Sequence, residues 1–262
     1  MSKVILIDWS MLMFPTIFTY FKMPDDKKML PTYTCLLKLI ACLRRVGLNP
    51  DDTVIIALEG RSWRKKEDAN YKANRVYDER LKVWFPKFNE LIKQVDASTP
   101  FHFVRVHIAE ADDVIAYGVR YFKDKECIII SADSDFEQLC AFDNVKIFSP
   151  KSKRYKIVKD PYKVLAKKIE EEKSDNLITP ILTKADYEKR KRLVNLLTLP
   201  EEVEKQIEKE FKKLEEKEFD VSLFPYRLKD RFMDVYLDDK IVQVGDKLKK
   251  KHKRRKKKGG TK

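Results

Sequence analysis

The chain has 262 residues, 43% of them apolar, and a formal net charge of +14; that apolar share can form a core and excludes a wholly disordered chain. Residues 247–262 hold 11 Lys or Arg and no acid, leaving the preceding 246 residues at only +3. The six scattered glycines exclude a P-loop or Rossmann phosphate cradle, and four cysteines without a C-x-x-C pair, beside three histidines, argue against a zinc site of thiolates and imidazoles.

In chain order, short β-rich runs alternate with longer amphipathic ones, the pattern of βαβ units and a mostly parallel α/β sheet. Strands are predicted at 3–7, 53–58, 101–107, 126–131 and 144–148, with a short edge strand near 154–158 after the polar SPKSKRYK turn. Helices are predicted at 29–46, 62–75, 79–96, 110–123 and 134–141, while the apolar stretch 11–23 reads as core and loop. Past Pro161 a Lys- and Glu-rich composition predicts helices near 162–173, 183–198 and 201–218, the last with Pro200 at its first helical position. Aromatic residues mark 219–246 as ordered, and 247–262 reads as a disordered basic tail. The expected units are thus a core over 1–160, a helical region over 161–246 and the tail. Scattered cysteines, no cleavable leader and no apolar run near the ~18 residues of a membrane span point to a soluble, cytoplasmic protein.

The acids fall where the strands end. Asp8 closes the first strand, Glu59 follows the second, Glu110, Asp112 and Asp113 open the helix after the third, and Asp133 and Asp135 follow the fourth. In an open parallel sheet these carboxyl ends line the ligand crevice. Carboxylates crowded there repel one another unless a cation neutralises them, and hard oxygen donors suit Mg²⁺ or Mn²⁺. Such a set can hold two ions roughly 4 Å apart for in-line phosphodiester cleavage. Each acid alone also reads as a turn or cap residue; the coincidence of four segments carries the metal reading. A second constellation, RSWRKKEDANYKANR at 61–75, interleaves Arg61, Arg64, Lys65, Lys66, Lys72 and Arg75 with Trp63 and Tyr71. It offers cations for phosphates and rings for bases; a basic surface helix with Trp63 in the core is the competing reading.

These residues resemble the 5′ nucleases, the flap endonucleases and 5′→3′ exonucleases, nearest to the bacteriophage ribonuclease H type. LIDWS, SWRKKEDANYKANR, EADDVIA, SADSDFEQL and DYEKRKRLVNLLTLP stand in family order over most of 3–215. The resemblance implies a PIN-like core, a basic helical arch over 61–96, and metal ligation by Asp8, Glu110, Asp112, Asp133 and Asp135, with Asp113 the third acid of its run. Glu59 stands where the family usually has Asp, and Glu172 and Asp175 stand in a late acidic motif ordinarily written G-D-x-x-D-N. Lys72 and Arg75 match the arch-base cations that approach the scissile phosphate, with Tyr71 just before them. Only ten residues separate Asn176 from the DYEKRKRLVNLL segment, so the duplex-binding helix-three-turn-helix module is expected to be truncated. The implied activity is hydrolysis near the 5′ ends of DNA and RNA–DNA hybrids with two Mg²⁺ ions, Mn²⁺ substituting, in phage DNA replication. A monomer in the host cytoplasm is implied, with a single-stranded-DNA-binding protein or a sliding clamp as candidate protein partners. The alternatives are a PIN-type endoribonuclease and a non-catalytic nucleic-acid-binding relative.

Overall fold

The computed structural model describes residues 2–76, 78–170, 181–218 and 220. Its strands are β1 (Val4–Asp8), β2 (Thr53–Leu58), β3 (His102–Arg105), β4 (Cys127–Ile130), β5 (Val145–Ser149) and β6 (Arg154–Tyr155). They form one sheet in the order β3-β2-β1-β4-β5-β6, parallel throughout except for the antiparallel edge pair β5 and β6. From β1 the chain steps outward one way through β2 and β3, then returns to place β4 and β5 on the other side. The carboxyl ends of β1 and β4 therefore meet at a topological switch point, where an open sheet leaves a crevice.

Helices cover both faces: α1 (Trp9–Lys22), α2 (Pro31–Arg45), α3 (Arg64–Glu67), α4 (Phe85–Ser98), α5 (Ala111–Tyr121), α6 (Pro161–Glu170), α7 (Lys184–Val194) and α8 (Glu201–Phe211). The period of two in the strands sorts the core. Ile5, Ile7, Val54, Ile56, Ile128 and Ile130 pack with α1, α2 and α4. Val4, Leu6, Ile55, Ala57, Cys127 and Ile129 pack on the opposite face with α5, α8 and Leu193. The continuous apolar runs in the central strands follow from burial on both sides. Gly118 lets α5 lie close on β1, since a Cβ there would stand 3.0 Å from a Leu6 methyl. No helix among the described residues is long and apolar enough to cross a membrane.

The strands lie within about two residues of their predicted spans, apart from the shorter edge strand β6, but four expectations need correction. First, 11–23 is core as expected but not loop: α1 runs through it with Pro15 inside, buried on Leu12, Met13, Thr16 and Ile17. Second, 62–75 is not one helix. After α3, Asp68 adopts an extended backbone and accepts the Asn70 N–H, and the chain continues in turns to Asn74. Third, the segment 61–96 is not an arch throughout, because α4 begins at Phe85 and buries Phe88, Leu91 and Val95 in the core. Fourth, Pro200 is the cap of α8 rather than its first helical residue. The end of the 162–173 helix, the late acids Glu172 and Asp175, most of 219–246 and the tail 247–262 lie outside the described residues.

Candidate active site

Asp8 belongs to both β1 and the helix it starts. Its Oδ1 accepts the backbone N–H groups of Ser10 and Met11, an N-cap, and its Oδ2 accepts the Ser131 hydroxyl beyond β4 at 3.3 Å. The side chain is 5% exposed. Across the crevice, β2 and β3 are joined beyond their ends by a backbone zipper: Gly60 N to Ala109 O, Arg61 N to His107 O and Trp63 N to Ile108 O. Gly60 is required there, because a Cβ would lie 2.0 Å from the Val106 carbonyl oxygen. The zipper brings Glu59 to α5, where its Oε2 accepts the Ala111 N–H at 3.2 Å. Asp112 sits in the first turn of α5, and Asp133 in the loop beyond β4, where its Oδ1 takes the Asp135 N–H at 2.9 Å.

The electrostatics divide this set. Burial, reinforced by Glu59 and Asp133, lifts the Asp8 carboxyl to about 7 despite the backbone bonds that oppose it. Asp112 is raised well above the usual carboxylate range by burial and then by Asp8, Glu59, Asp133 and Glu110. Glu59, exposed at the rim but hemmed in on its inner side, is raised by lost hydration and by Glu110. Burial would raise Glu110 as well, but Lys72 and Arg64 outweigh it and hold this carboxylate below its usual range. Central acids that resist ionisation mark negative charge without a counter-ion. The donor set is all oxygen, which fits a hard divalent cation rather than zinc on thiolates. Among the described residues no three such side chains close to ligand geometry.

Beside the crevice the 61–75 segment takes a different place from the one expected. Trp63, Arg64 and Tyr71 are buried, so they offer no free ring or guanidinium to nucleic acid. Arg64 lays its fork on Asp113, at 2.9 and 2.7 Å, reaches Glu110 at 3.1 Å and gives its Nε–H to the Leu193 carbonyl of α7 at 2.6 Å. Its guanidinium also stacks on the Trp63 ring, 4.6 Å from the centroid. Asp113 receives two further donors, Trp63 Nε1–H and the Glu110 N–H. Three of these four donors fall on Oδ2 and one on Oδ1, so Asp113, fully buried, anchors Arg64 and the start of α5. The Tyr71 hydroxyl donates to Glu110 at 3.0 Å, and Lys72 places its ammonium on the other Glu110 oxygen. Lys72 does so from a left-handed backbone, φ +56°, a conformation an L-residue holds only under constraint. Lys65, Lys66 and Arg75 are exposed.

Sequence reasoning missed two lysines on the far side. Lys156 donates to the carbonyls of Ala132 and Asp133 and to Glu137, fixing the loop that carries Asp133. Lys168 of α6 pairs with Asp135 at 2.7 Å. The lysine-rich SPKSKRYK turn marks only the first of them. Ser131, the first residue of SADSDFEQL, was likewise passed over although it bonds Asp8.

The sequence profile described as "5′-3′ exonuclease, N-terminal resolvase-like domain" matches residues 3–173. Ribonuclease H of Enterobacteria phage T4 is 29% identical over 135 residues, 48% of this chain and 44% of that protein, so the chain aligns with less than half of that relative. A phage T5 protein co-crystallised with metal ions superposes with a TM-score of 0.58 at 18% identity, covering 81% of this chain and all of the other. The phage T5 flap endonuclease in complex with DNA and metal ions gives a TM-score of 0.51 at 20% identity over 89% of this chain and 92% of that one. At those identities the structural likeness is one of fold, the mostly parallel sheet with helices on both faces. With residues 3–173 matched, the chain belongs to the 5′-3′ exonuclease family through its N-terminal resolvase-like domain.

Proposed function

We propose that the protein is a divalent-metal-dependent phosphodiester hydrolase acting near the 5′ ends of DNA and of RNA paired to DNA, as a 5′→3′ exonuclease and flap endonuclease. The single observation that carries this reading is the crevice at the sheet's switch point. Asp8, Glu59, Asp112 and Asp133 come there from four separate segments, with no ion pair to any of them among the described residues and with raised pKa values on the first three. Two relatives, a phage ribonuclease H and a phage flap endonuclease, favour the same chemistry.

Asp8, Glu59, Asp112 and Asp133, with Glu110 and Asp135 at the flanks, would hold two ions, Mg²⁺ with Mn²⁺ as a substitute. When bound, such ions neutralise the carboxylates and supply Lewis-acid activation of water and phosphate. The chain's own residues then set the geometry. Ser131 and the α1 N-terminus orient Asp8, and Arg64, Tyr71 and Lys72 orient Glu110. Lys72 and Arg75 approach the scissile phosphate and offset the charge that develops on its oxygens. The exposed Lys65 and Lys66 contact the strand as it enters. The truncated duplex clamp leaves a weaker grip on downstream duplex, which the tail 247–262 offsets with phosphate contacts that carry no sequence preference. Work on flaps and primers in phage replication, as a monomer in the host cytoplasm beside a single-stranded-DNA-binding protein or sliding clamp, completes the reading.

The test is a product map on flap, nicked and RNA-primed substrates labelled at either end. Cuts near the 5′ end that vanish in chelator support the reading. Cuts confined to structured single-stranded RNA would give a PIN-type endoribonuclease, and none at all with intact binding would give a non-catalytic relative.

A further inference from the structure

The segment DYEKRKRLVNLLTLP contributes none of the crevice acids, yet its connector between α7 and α8 is bonded to both walls of the crevice. The last carbonyls of a helix have no partner within it, and the two that end α7 are taken by side chains from opposite sides of that crevice. Arg64 gives its Nε–H to the Leu193 carbonyl at 2.6 Å while its fork holds Asp113 and Glu110 at the start of α5. Gln138, fully buried, gives an amide N–H to the next carbonyl, that of Val194, at 3.1 Å, and its oxygen accepts the Leu196 N–H at 3.2 Å. Only the NH₂ end can meet a carbonyl and only the oxygen an N–H, so these two partners fix the orientation of the amide. The loop before Gln138 is knit into one piece. The Ser131 hydroxyl accepts the Asp133 N–H at 3.1 Å, Asp133 Oδ1 accepts the Asp135 N–H, and the Ser134 carbonyl accepts the Glu137 N–H at 3.0 Å. Lys156 binds the Ala132 and Asp133 carbonyls together with Glu137. Gln138 follows directly, in the 3-10 turn Asp135–Ala141, and is the polar tie of that piece to the connector.

Glu110 and Asp133 thus stand on two walls that are fixed to consecutive carbonyls of one turn. We propose that Gln138 is a positioning residue: through the connector 193–197 it holds the Asp133 wall at its distance from the Glu110 wall, and so sets the crevice's selection of Mg²⁺ over larger divalent ions. This deepens the metal-dependent reading above and rests on it. Mg²⁺ demands near-ideal octahedral oxygens at about 2.1 Å, whereas Ca²⁺ accepts looser and more variable sets at about 2.4 Å. Carboxylates that repel one another push their walls apart, and a wall free to yield gives the larger ion its space. The amide resists that movement and, being neutral, adds no charge to the crowded acids. Groups behind the ligands of a metal change its affinity by roughly 10- to 100-fold, and here the group behind the Asp133 loop is tied to the same backbone turn as the group behind Glu110.

Calorimetric titration of Mg²⁺ and of Ca²⁺ into the full chain without nucleic acid tests this, comparing the native protein with Gln138→Met, Gln138→Asn and Asp52→Ala, each referred to its folded fraction. Gln138→Met keeps the length of the side chain and removes both bonds, and Gln138→Asn keeps the amide but falls one methylene short. Asp52→Ala is the control for lost stability, because its carboxylate pairs with the Lys3 ammonium at 2.7 Å at the amino end of the sheet, away from the crevice. The ratio of Mg²⁺ to Ca²⁺ affinity should fall about tenfold in Gln138→Met and about threefold in Gln138→Asn, with Mg²⁺ carrying the change, and should keep its native value in Asp52→Ala. A native ratio in both Gln138 variants, whether the two affinities are unchanged or fall together, makes Gln138 a folding residue alone; it overturns the proposal and leaves the metal-dependent reading standing. An equal fall of the ratio in Asp52→Ala overturns it as well. Where Gln138→Met does not fold, Gln138→Asn decides by the same ratio. No uptake of either ion by the native protein overturns both readings.

Discussion

Two buried aspartates flank opposite ends of β1 and behave in opposite ways. At the amino end, Asp52 is 9% exposed and accepts the Lys3 backbone N–H at 2.9 Å, the Lys3 ammonium at 2.7 Å and the Asn49 N–H at 2.7 Å. At the carboxyl end, Asp8 is 5% exposed and accepts two backbone N–H groups and one hydroxyl, and among the described residues it pairs with no cation. Burial is the same; the counter-charge is not. A buried carboxylate with its ammonium completes a fold, whereas one that faces three other acids has the chemistry to take a divalent cation.

The largest way to break this contrast is catalytic. Asp133→Asn and Asp8→Asn should each lower turnover on a 5′-flap substrate on the order of a thousandfold while leaving nucleic-acid affinity within about threefold. Near-normal turnover in either variant would sink the metal reading. At the other end, Asp52→Ala should destabilise the protein by about 3 kcal/mol, because it strands the Lys3 ammonium, and the folded fraction should keep its specific activity. Denaturant melts with an activity assay on the same samples separate the two effects.

The pH dependence of the metal-free protein sharpens the contrast next. The folded Asp8 carboxyl titrates near 7, against an ordinary 3.8. Between those values the folded state binds more protons than the unfolded one, so this group favours folding at the acid end and loses that contribution as pH rises through 7. In chelator, stability should fall across that window by at most about 4 kcal/mol. Asp8→Asn should flatten the fall, and saturating Mg²⁺ should cancel it. Stability that instead rises across the window would show Asp8 already compensated. The smallest effect is expected from Tyr71→Phe, which removes the hydroxyl bonded to Glu110 and should cost about 1 kcal/mol with no change in single-strand affinity. A tenfold loss of affinity would return Tyr71 to the nucleic-acid surface.

Much of this was legible in the chain itself. The central strands are apolar runs bounded by turn residues, and acids at their carboxyl ends stand out against them, so the sheet and the crevice could be read from spacing. Helix α1 was not, because MLMFPTIFTYFK is apolar on most sides and contains Pro15, which hides the period of 3.6. The 61–75 segment has a helical composition, yet its early N–H groups are taken by the 107–109 carbonyls, and Asp68 stops α3 after one turn. Asp113 looks in sequence like its neighbour Asp112. Only the fold brings Arg64, 49 residues away, onto one and not the other. Lys156 and Lys168 share that obscurity, since a lysine that reaches a carboxylate across the fold is written no differently from a solvated one.

The central claim is that the crevice holds unneutralised, partly protonated carboxylates which a divalent ion fills. Proton release on Mg²⁺ binding tests it most directly, by titration near pH 7 in buffers of different ionisation enthalpy. With Asp8 near 7 and Asp112 raised, binding should release roughly one proton near neutrality, less above pH 9, and less in Asp8→Asn. Binding heats independent of the buffer at pH 7 would mean that the carboxylates are already ionised and compensated, and would contradict the account.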